Sequence, residues 1–250
     1  MSSLTASGFV KPVAIWDAAF VTDPGKVRSQ NQDAFIALPE HGLWAVADGV
    51  GGHNGGERAS QLTIDSIRNH PSCDELSVSI DHVISSIRSA NEELRSIAVQ
   101  EYDSETVATT VAALVASGEE AAVVWVGDSR IYRLRNGALQ PLTRDHTVAA
   151  EFQDSDGPHV ATGPAAALTR AVGAAETIDV EQRIWDVQSG DVFILCTDGL
   201  YKELTVDEMA DGAALAANSA EAANRLMELA LSRRARDNIT VGVVRCLGYL

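Results

Sequence analysis

Three short apolar runs in this 250-residue chain end on an aspartate that stands beside a glycine. The runs cover residues 43–48, 121–128 and 191–198, and their terminal acids are Asp48, Asp128 and Asp198. An apolar run of this length, bounded by glycine, is typical of a buried strand. Strands that each carry a carboxylate to one end predict that these carboxylates meet at one edge of the core.

Asp33 and Asp237 also stand at the edges of predicted strands or turns. A single aspartate in such a place is more often a turn former than a ligand. Several together repel one another and raise one another's pKa unless a cation neutralises them. A set of carboxylate oxygens suits Mg²⁺ or Mn²⁺ rather than zinc. One carboxylate that bridges two such ions forms a two-metal site, which can lower the pKa of a bound water and orient it for in-line attack on phosphorus.

Other chemistries match the sequence less well. Gly49 and Gly51 match the start of a dinucleotide-binding GxGxxG motif, but Asn54 stands at the next required position. A cysteine-based phosphatase needs Cys-x5-Arg, whereas Lys202 is the sixth residue after Cys196. The DxDxT motif of an aspartyl-phosphate phosphatase does not occur at the first of the three aspartates. No CxxC motif or Cys/His cluster indicates a zinc site.

The acids must be positioned by strands that short turns connect. Asn136 and Gly137, between two apolar runs, are the strongest short signal for a type I′ hairpin, because both central residues need positive φ. Alternating and β-branched patterns predict strands over 13–21, 34–38, 106–116 and 238–246. Apolar residues at helical spacing predict helices over 57–69, 78–100, 207–217 and 220–233. We therefore expect one α+β domain over residues 1–250, with antiparallel sheets and helices on their outer faces. The less regular segment 143–167 is interpreted as a flexible excursion.

Composition limits the class of partner and the cellular compartment. The chain has 35 acidic and 19 basic residues, a formal net charge of −16, which argues against nucleic acid or an anionic membrane surface as the main partner. The sequence contains neither a transmembrane-length apolar run nor a secretory signal pattern. Its three cysteines, Cys73, Cys196 and Cys246, are odd in number and widely spaced, which indicates reduced thiols. We expect a cytoplasmic monomer.

Seven motifs, in order, together resemble one known family. They are RSQNQDAF, VADGVGGH, ATTVAAL, VGDSRIYRLRNGALQPLTRDHT, LTRAVG, FILCTDGL and DNITVGVV. In this order they closely resemble the PPM family of metal-dependent Ser/Thr protein phosphatases (type 2C), in its bacterial single-domain form, over residues 14–244. The resemblance implies a β-sandwich of two antiparallel sheets flanked by helices, with a dinuclear Mn²⁺/Mg²⁺ centre at one end. It also implies hydrolysis of phosphoserine and phosphothreonine monoesters by direct attack of a metal-activated water.

The resemblance also implies a metal-ligand set. Asp48 resembles the bridging carboxylate, the carbonyl of Gly49 a further ligand, and Asp198 and Asp237 the remaining carboxylate ligands. Asp128 matches the position that, in bacterial members, helps Asp198 to hold a third, weaker ion. We expect Asp48, Asp198 and Asp237 to lack a fixed basic partner and to repel one another when no metal is bound.

Further roles are implied for residues outside that set. Asp33 resembles the acid that supports metal-bound water, Arg28 resembles the anchor for the substrate phosphate, and 143–167 corresponds to the family's flap. The resemblance implies phosphoprotein substrates as partners, and it implies that the protein opposes the action of a Ser/Thr kinase on them.

Two positions depart from the family pattern. Gln32 stands where many members have Glu, which would lower the affinity for the second metal. Val50 stands where animal members have a His that is proposed as the general acid, and His53 is the nearest candidate for that role. The alternative that stays open is a catalytically weak or inactive member that binds phosphoproteins or a regulator.

Overall fold

A computed structural model of the chain describes residues 13–50, 55–69, 75–103, 105–152 and 167–250. Its strands are β1 (Ala14–Asp23), β2 (Asp33–Leu38), β3 (Leu43–Val50), β4 (Ala108–Thr109), β5 (Val111–Ser117), β6 (Glu120–Val126), β7 (Arg130–Arg135), β8 (Ala138–Pro141), β9 (Glu181–Asp186), β10 (Val192–Cys196) and β11 (Ile239–Tyr249). Its helices are α1 (Gly55–Arg68), α2 (Leu76–Glu101), α3 (Val148–Phe152), α4 (Asp198–Tyr201), α5 (Val206–Ala214) and α6 (Ser219–Ser232). Among these helices none is both long enough and apolar enough to cross a membrane.

The strands form two antiparallel sheets. The first has the order β1-β11-β10-β7-β8, and the second has the order β2-β3-β5-β6-β9, with β4 paired to β3. Asn136 and Gly137 connect β7 to β8 with φ values of 53° and 78°, as the type I′ hairpin requires.

Three apolar clusters define the layers. Trp44, Trp125 and Phe193 lie in the cluster between the sheets. A second cluster packs α1 and α2 onto the outer face of the second sheet, and a third packs α4, α5 and α6 onto the first sheet. The resulting α–β–β–α sandwich confirms the predicted α+β class with two antiparallel sheets flanked by helices.

Alternation along the strands brings polar residues to one end of the sandwich. In β3 the inward-facing Trp44 and Val46 are followed, two residues on, by Asp48 on the same face. In β10 the inward-facing Leu195 is followed in the same way by Thr197. Each apolar row therefore continues into a polar group where the chain leaves the sheet.

Two features of the second sheet differ from the prediction. The strand expected over 106–116 is divided into β4 and β5 at Thr110, whose N–H donates to the Asp48 carbonyl at 2.9 Å. The edge strand β9 was not predicted, because its sequence, EQRIWD, is mostly exposed and lacks an apolar row.

Part of the excursion predicted over 143–167 lies outside the described residues. The described part is held by specific contacts: the Arg144 carbonyl accepts from Trp125 Nε1 at 2.7 Å, and Thr147 forms an isolated bridge with Leu168. The start of this segment is therefore attached both to β6 of the second sheet, through Trp125, and to the residues that follow the segment, through Leu168.

Candidate metal centre

A pocket of about 590 Å³ opens at the polar end of the sandwich. Its lining comprises Arg28, Gln32, Asp48, Gly49, Val50, Thr110, Asp128, Ala167, Leu168, Asp198, Lys202, Asp237 and Asn238. It therefore brings together all the metal ligands predicted from the sequence, together with the predicted phosphate anchor. His53, the candidate general acid, lies outside the described residues.

Asp33 lies directly opposite Asp48 in the pairing of β2 with β3. Its Oδ2 accepts hydrogen bonds from Thr240 Oγ1 at 2.7 Å and from Thr197 Oγ1 at 2.9 Å. Its Oδ1 is buried and has no hydrogen-bond partner among the described residues. Burial raises the pKa of Asp33 to about 7, although the two threonine hydrogen bonds act in the opposite direction.

Asp48 lies among the other acids of the site. Burial raises its pKa well above the usual range, and the negative charges of Asp33 and Asp198 raise it further. Its backbone N–H donates to Thr110 Oγ1 at 3.0 Å, and that oxygen is 2.7 Å from Ser129 Oγ. The hydroxyl groups of Thr110 and Ser129, which lie next to β5 and β7, therefore hold the end of β3 in place.

Asp198 begins α4, and the next residue fixes where this helix lies. A Cβ on Gly199 would lie 2.0 Å from the carbonyl oxygen of Asn238, so only glycine allows α4 to pack this closely on the start of β11. The close approach brings Asp198 near Asp237, which immediately precedes Asn238.

The side chain of Asn238 binds the loop between β1 and β2 to the start of β11. Its Oδ1 accepts from the N–H of Gln32 at 2.8 Å, and its Nδ2 donates to the carbonyls of Pro24 and Gln30 at 3.0 and 2.9 Å. The sequence marked Asn238 only as a neighbour of a metal ligand, because these partners are more than 200 residues away.

Two of the predicted ligands have basic partners, so the expectation that they lack them is wrong. Asp237 receives Arg28 Nε at 2.8 Å and Arg28 Nη2 at 3.0 Å. Asp198 Oδ2 pairs with Lys202 Nζ. The i,i+4 spacing places Lys202 over Asp198, and this signal was available in the sequence. In this arrangement the described residues include no group of three His, Cys, Asp or Glu side chains that could hold a metal ion.

Asp128 is bound by a tyrosine. Its Oδ2 accepts from the Tyr201 hydroxyl at 3.3 Å, and burial together with the charge of Asp198 raises the pKa of Asp128 to about 6. The guanidinium of Arg130 lies 3.6 Å from the centre of the Tyr201 ring and forms a two-bond ion pair with Asp145 at 2.8 and 2.7 Å. Sequence reasoning missed Tyr201 and Arg130 because their contacts are tertiary.

The donor set fits hard divalent cations. Asp33 Oδ1 and Asp198 Oδ1 are buried and lack a hydrogen-bond partner in the described part of the chain. Orphaned acceptors of this kind are costly unless a cation or water occupies them. All the candidate donors are oxygens, which Mg²⁺ and Mn²⁺ prefer.

Comparison with known proteins agrees with this architecture. The model of the family described as Protein phosphatase 2C matches residues 26–233. The serine/threonine protein phosphatase PstP of Mycobacterium tuberculosis is 32% identical over 231 residues, which are 91% of this chain and 44% of PstP. The chain thus spans less than half the length of that relative.

Two solved structures are similar over nearly their whole length. PppA, a key regulatory component of T6SS in Pseudomonas aeruginosa, superposes with a TM-score of 0.85 at 36% identity, covering 94% of this chain and 99% of PppA. The catalytic domain of PstP in complex with two manganese ions gives a TM-score of 0.81 at 31% identity, covering 93% and 98%.

The fold, the carboxylate-lined pocket and these matches define one class of protein. The chain belongs to the protein phosphatase 2C family. The family predicted from the motifs is confirmed, and the predicted enzyme class is that of the family.

Proposed function

We propose that this chain is a protein phosphatase that hydrolyses phosphoserine and phosphothreonine monoesters with two Mn²⁺ or Mg²⁺ ions. The observation that carries the proposal is the pocket in which Asp48, Asp198 and Asp237 lie together beside orphaned, buried carboxylate oxygens. The presence of two manganese ions in the related PstP catalytic domain supports it. We also propose that residues 1–250 form one catalytic domain.

Asp48, the Gly49 carbonyl, Asp198 and Asp237 would hold the two ions. When bound, such ions lower the pKa of a coordinated water and neutralise charge on the phosphoryl group. Asp33 offers Oδ1 as a proton acceptor, because Oδ2 is already held by two threonine hydroxyls. Thr197 and Thr240 therefore orient the carboxylate so that its unpartnered oxygen is the one available for proton transfer.

Arg28 would anchor the substrate phosphate. Its planar fork matches two phosphate oxygens as well as it matches the two oxygens of Asp237. Both side chains of the Arg28–Asp237 pair are partly exposed, at 56% and 39%, and exposed pairs contribute only about 0–1 kcal/mol. The guanidinium can therefore exchange the carboxylate for a phosphate at little cost.

The third, weaker ion predicted at Asp128 and Asp198 has competitors within the chain. The Lys202 ammonium binds Asp198 Oδ2, and the Tyr201 hydroxyl binds Asp128 Oδ2. We propose that Lys202 supplies at this place the positive charge that a third ion would bring.

A binding module without hydrolysis is the second candidate function. The ion pairs Arg28–Asp237 and Lys202–Asp198 favour this function, because they neutralise two of the predicted metal ligands without a metal ion. Opposition to a Ser/Thr kinase, a monomeric state and a cytoplasmic location stay predictions from the sequence.

Metal-dependent turnover separates the two candidates. Hydrolysis of p-nitrophenyl phosphate and of a phosphothreonine peptide should require Mn²⁺ or Mg²⁺ and stop in excess EDTA. Asp48→Asn should abolish turnover, whereas Asp81→Asn, on the exposed face of α2, should not change it. Full activity in EDTA or a trapped covalent phosphoenzyme would contradict the proposal. A folded, metal-loaded protein without turnover would favour the binding module.

A further inference from the structure

A second pocket, of about 510 Å³, adjoins the candidate metal centre. We call it the arginine pocket; it is lined by Gly199, Lys202, Glu203, Arg233, Arg234, Arg236 and Asp237. Lys202 and Asp237 also line the metal-centre pocket, so the two pockets are contiguous. Four of these lining residues are basic and two are acidic, in a chain whose formal net charge is −16.

Three of the six charged side chains that line the arginine pocket form ion pairs. Asp237 binds Arg28, Lys202 binds Asp198, and Arg233 binds Glu208. The side chains of Arg234 and Arg236 are exposed and form no hydrogen bond or ion pair within the part of the chain that the structure describes. Two guanidinium groups beside the site are therefore available to a ligand.

The loop that carries these arginines has a defined backbone. Ala235, between them, is fully buried and has a φ of 45°. Its carbonyl accepts from the N–H of Lys26 at 2.8 Å, and the Arg233 carbonyl accepts from Lys26 Nζ at 3.0 Å. A left-handed conformation is unfavourable for a non-glycine residue, so the burial of Ala235 and the two hydrogen bonds from Lys26 must hold the loop in this shape. Burial of Ala235 leaves its two neighbours directed to solvent.

Resting on the proposed function, we propose that the arginine pocket binds a second anionic group of the phosphopeptide substrate, a carboxylate or a phosphate. Arginine forks bind both groups through paired hydrogen bonds. Arg236 directly precedes Asp237, and an extended peptide advances about 3.3 Å per residue. The second anion therefore belongs on a residue close in sequence to the phosphorylated one.

Three phosphothreonine peptides of equal length test the proposal: one with neutral flanking residues, one with flanking glutamates and one with a second phosphothreonine. The wild type should show kcat/KM about tenfold higher for one or both anionic peptides, a difference equivalent to about 1.4 kcal/mol. The two anionic peptides distinguish a carboxylate from a phosphate as the bound group. High salt should reduce the preference, since exposed charges are screened.

The double variant Arg234→Ala/Arg236→Ala should lose this preference and keep its activity on p-nitrophenyl phosphate. The matched control Arg88→Ala/Arg95→Ala removes two exposed arginines of α2 and should keep the preference. A wild type without preference, or a double variant that retains it, would overturn the proposal. Fluorescence anisotropy with the same labelled peptides measures the preference in binding without turnover. Failure of the proposed activity is thereby distinguished from failure of the arginine pocket.

Discussion

Arg28 forms two hydrogen bonds through its guanidinium with Asp237, a predicted metal ligand. The pairing raises the pKa of Arg28, so its charge is constant over the working range of pH. If Arg28 binds the substrate phosphate as proposed, release of Asp237 by this guanidinium would couple metal binding to phosphate binding.

Arg28→Ala should raise KM for a phosphopeptide at least tenfold, because the bidentate contact with phosphate is lost. Its affinity for Mn²⁺ should be unchanged or higher, because Asp237 no longer has a competing partner. Steady-state kinetics and calorimetric titration with Mn²⁺ measure the two effects. Arg88→Ala is the control for removal of one exposed charge. Weakened Mn²⁺ binding with an unchanged KM would show that Arg28 acts on the metal and not on the phosphate.

Lys202 gives a second prediction at the residue scale. If its ammonium takes the place of a third ion, the wild type should bind two Mn²⁺ ions in calorimetric titration. Lys202→Met should bind an additional, weaker ion through Asp198 and Asp128. In the Lys202→Met protein, Asp128→Ala should abolish the additional binding. Three ions on the wild type, or two on Lys202→Met, would contradict the role assigned to the lysine.

At the scale of elements, His146 connects the segment after β8 to the second sheet. Its Nδ1 accepts from the N–H of Gly127 at 3.0 Å, so the proton resides on Nε2, 3.1 Å from Glu181 Oε1. The ring also stacks on Trp125, with centroids 6.1 Å apart. Burial and the positive charge of Arg170 lower the pKa of His146, while Glu181 acts in the opposite direction. The neutral ring is therefore the form that stabilises this connection.

Below pH of about 6.5 the unfolded chain protonates this histidine more readily than the native protein does. The contribution of His146 to stability should thus be complete above that pH and should decline as the pH falls toward its lowered native pKa. His146→Asn, which can still accept from Gly127, should be less stable by about 1–3 kcal/mol at pH 7.5.

Urea unfolding of the wild type and of His146→Asn between pH 5 and 7.5 checks this prediction. The difference in their free energies of unfolding should shrink as the pH falls. The buried acids have raised pKa values, which favour the native state at lower pH in both proteins. Taking the difference between the two free energies of unfolding at each pH removes this opposite contribution. A difference independent of pH would mean that His146 does not titrate differently in the two states.

At the scale of the whole molecule, the proposed metal binding would act on stability together with the acidic charge. The formal net charge is −16, and buried aspartates with raised pKa values gather at one end of the sandwich. Ions that bind only the native site stabilise it by about 2.7 kcal/mol at a hundredfold excess over Kd. For a chain of this size each 1 kcal/mol corresponds to roughly 2–4 °C in Tm.

Millimolar Mn²⁺ should therefore raise Tm by several degrees relative to EDTA, as measured by calorimetry. Asp48→Asn should respond less to Mn²⁺, because it lacks the predicted bridging carboxylate. In EDTA the free energy of unfolding of Asp237→Asn should lie within about 1 kcal/mol of the wild-type value, because the variant loses only an exposed ion pair. Equal Tm of the wild type in Mn²⁺ and in EDTA would remove the basis for a metal centre.

Local patterns in the sequence predicted most of the helices and strands, and the ordered motifs predicted the metal ligands that line the pocket. Short apolar runs predicted β3 and β10, and the Asn136–Gly137 pair predicted the hairpin. The aspartates at the ends of the strands were correctly expected to meet. The ordered motifs identified the family. These features depend on neighbours within a few residues, which the sequence displays directly.

Only the tertiary structure decided how the charges in the pocket are paired. Arg28 and Asp237 are 209 residues apart in the sequence. The hydrogen bonds of the Asn238 side chain join residues that are similarly far apart. Tyr201 meets Asp128 only because Gly199 lets α4 pack against β11. The exposed edge strand β9 also depends on a partner strand rather than on its own pattern. The geometry of the folded sheets determines which side chains that are distant in sequence come into contact, and local periodicity contains no information about these contacts.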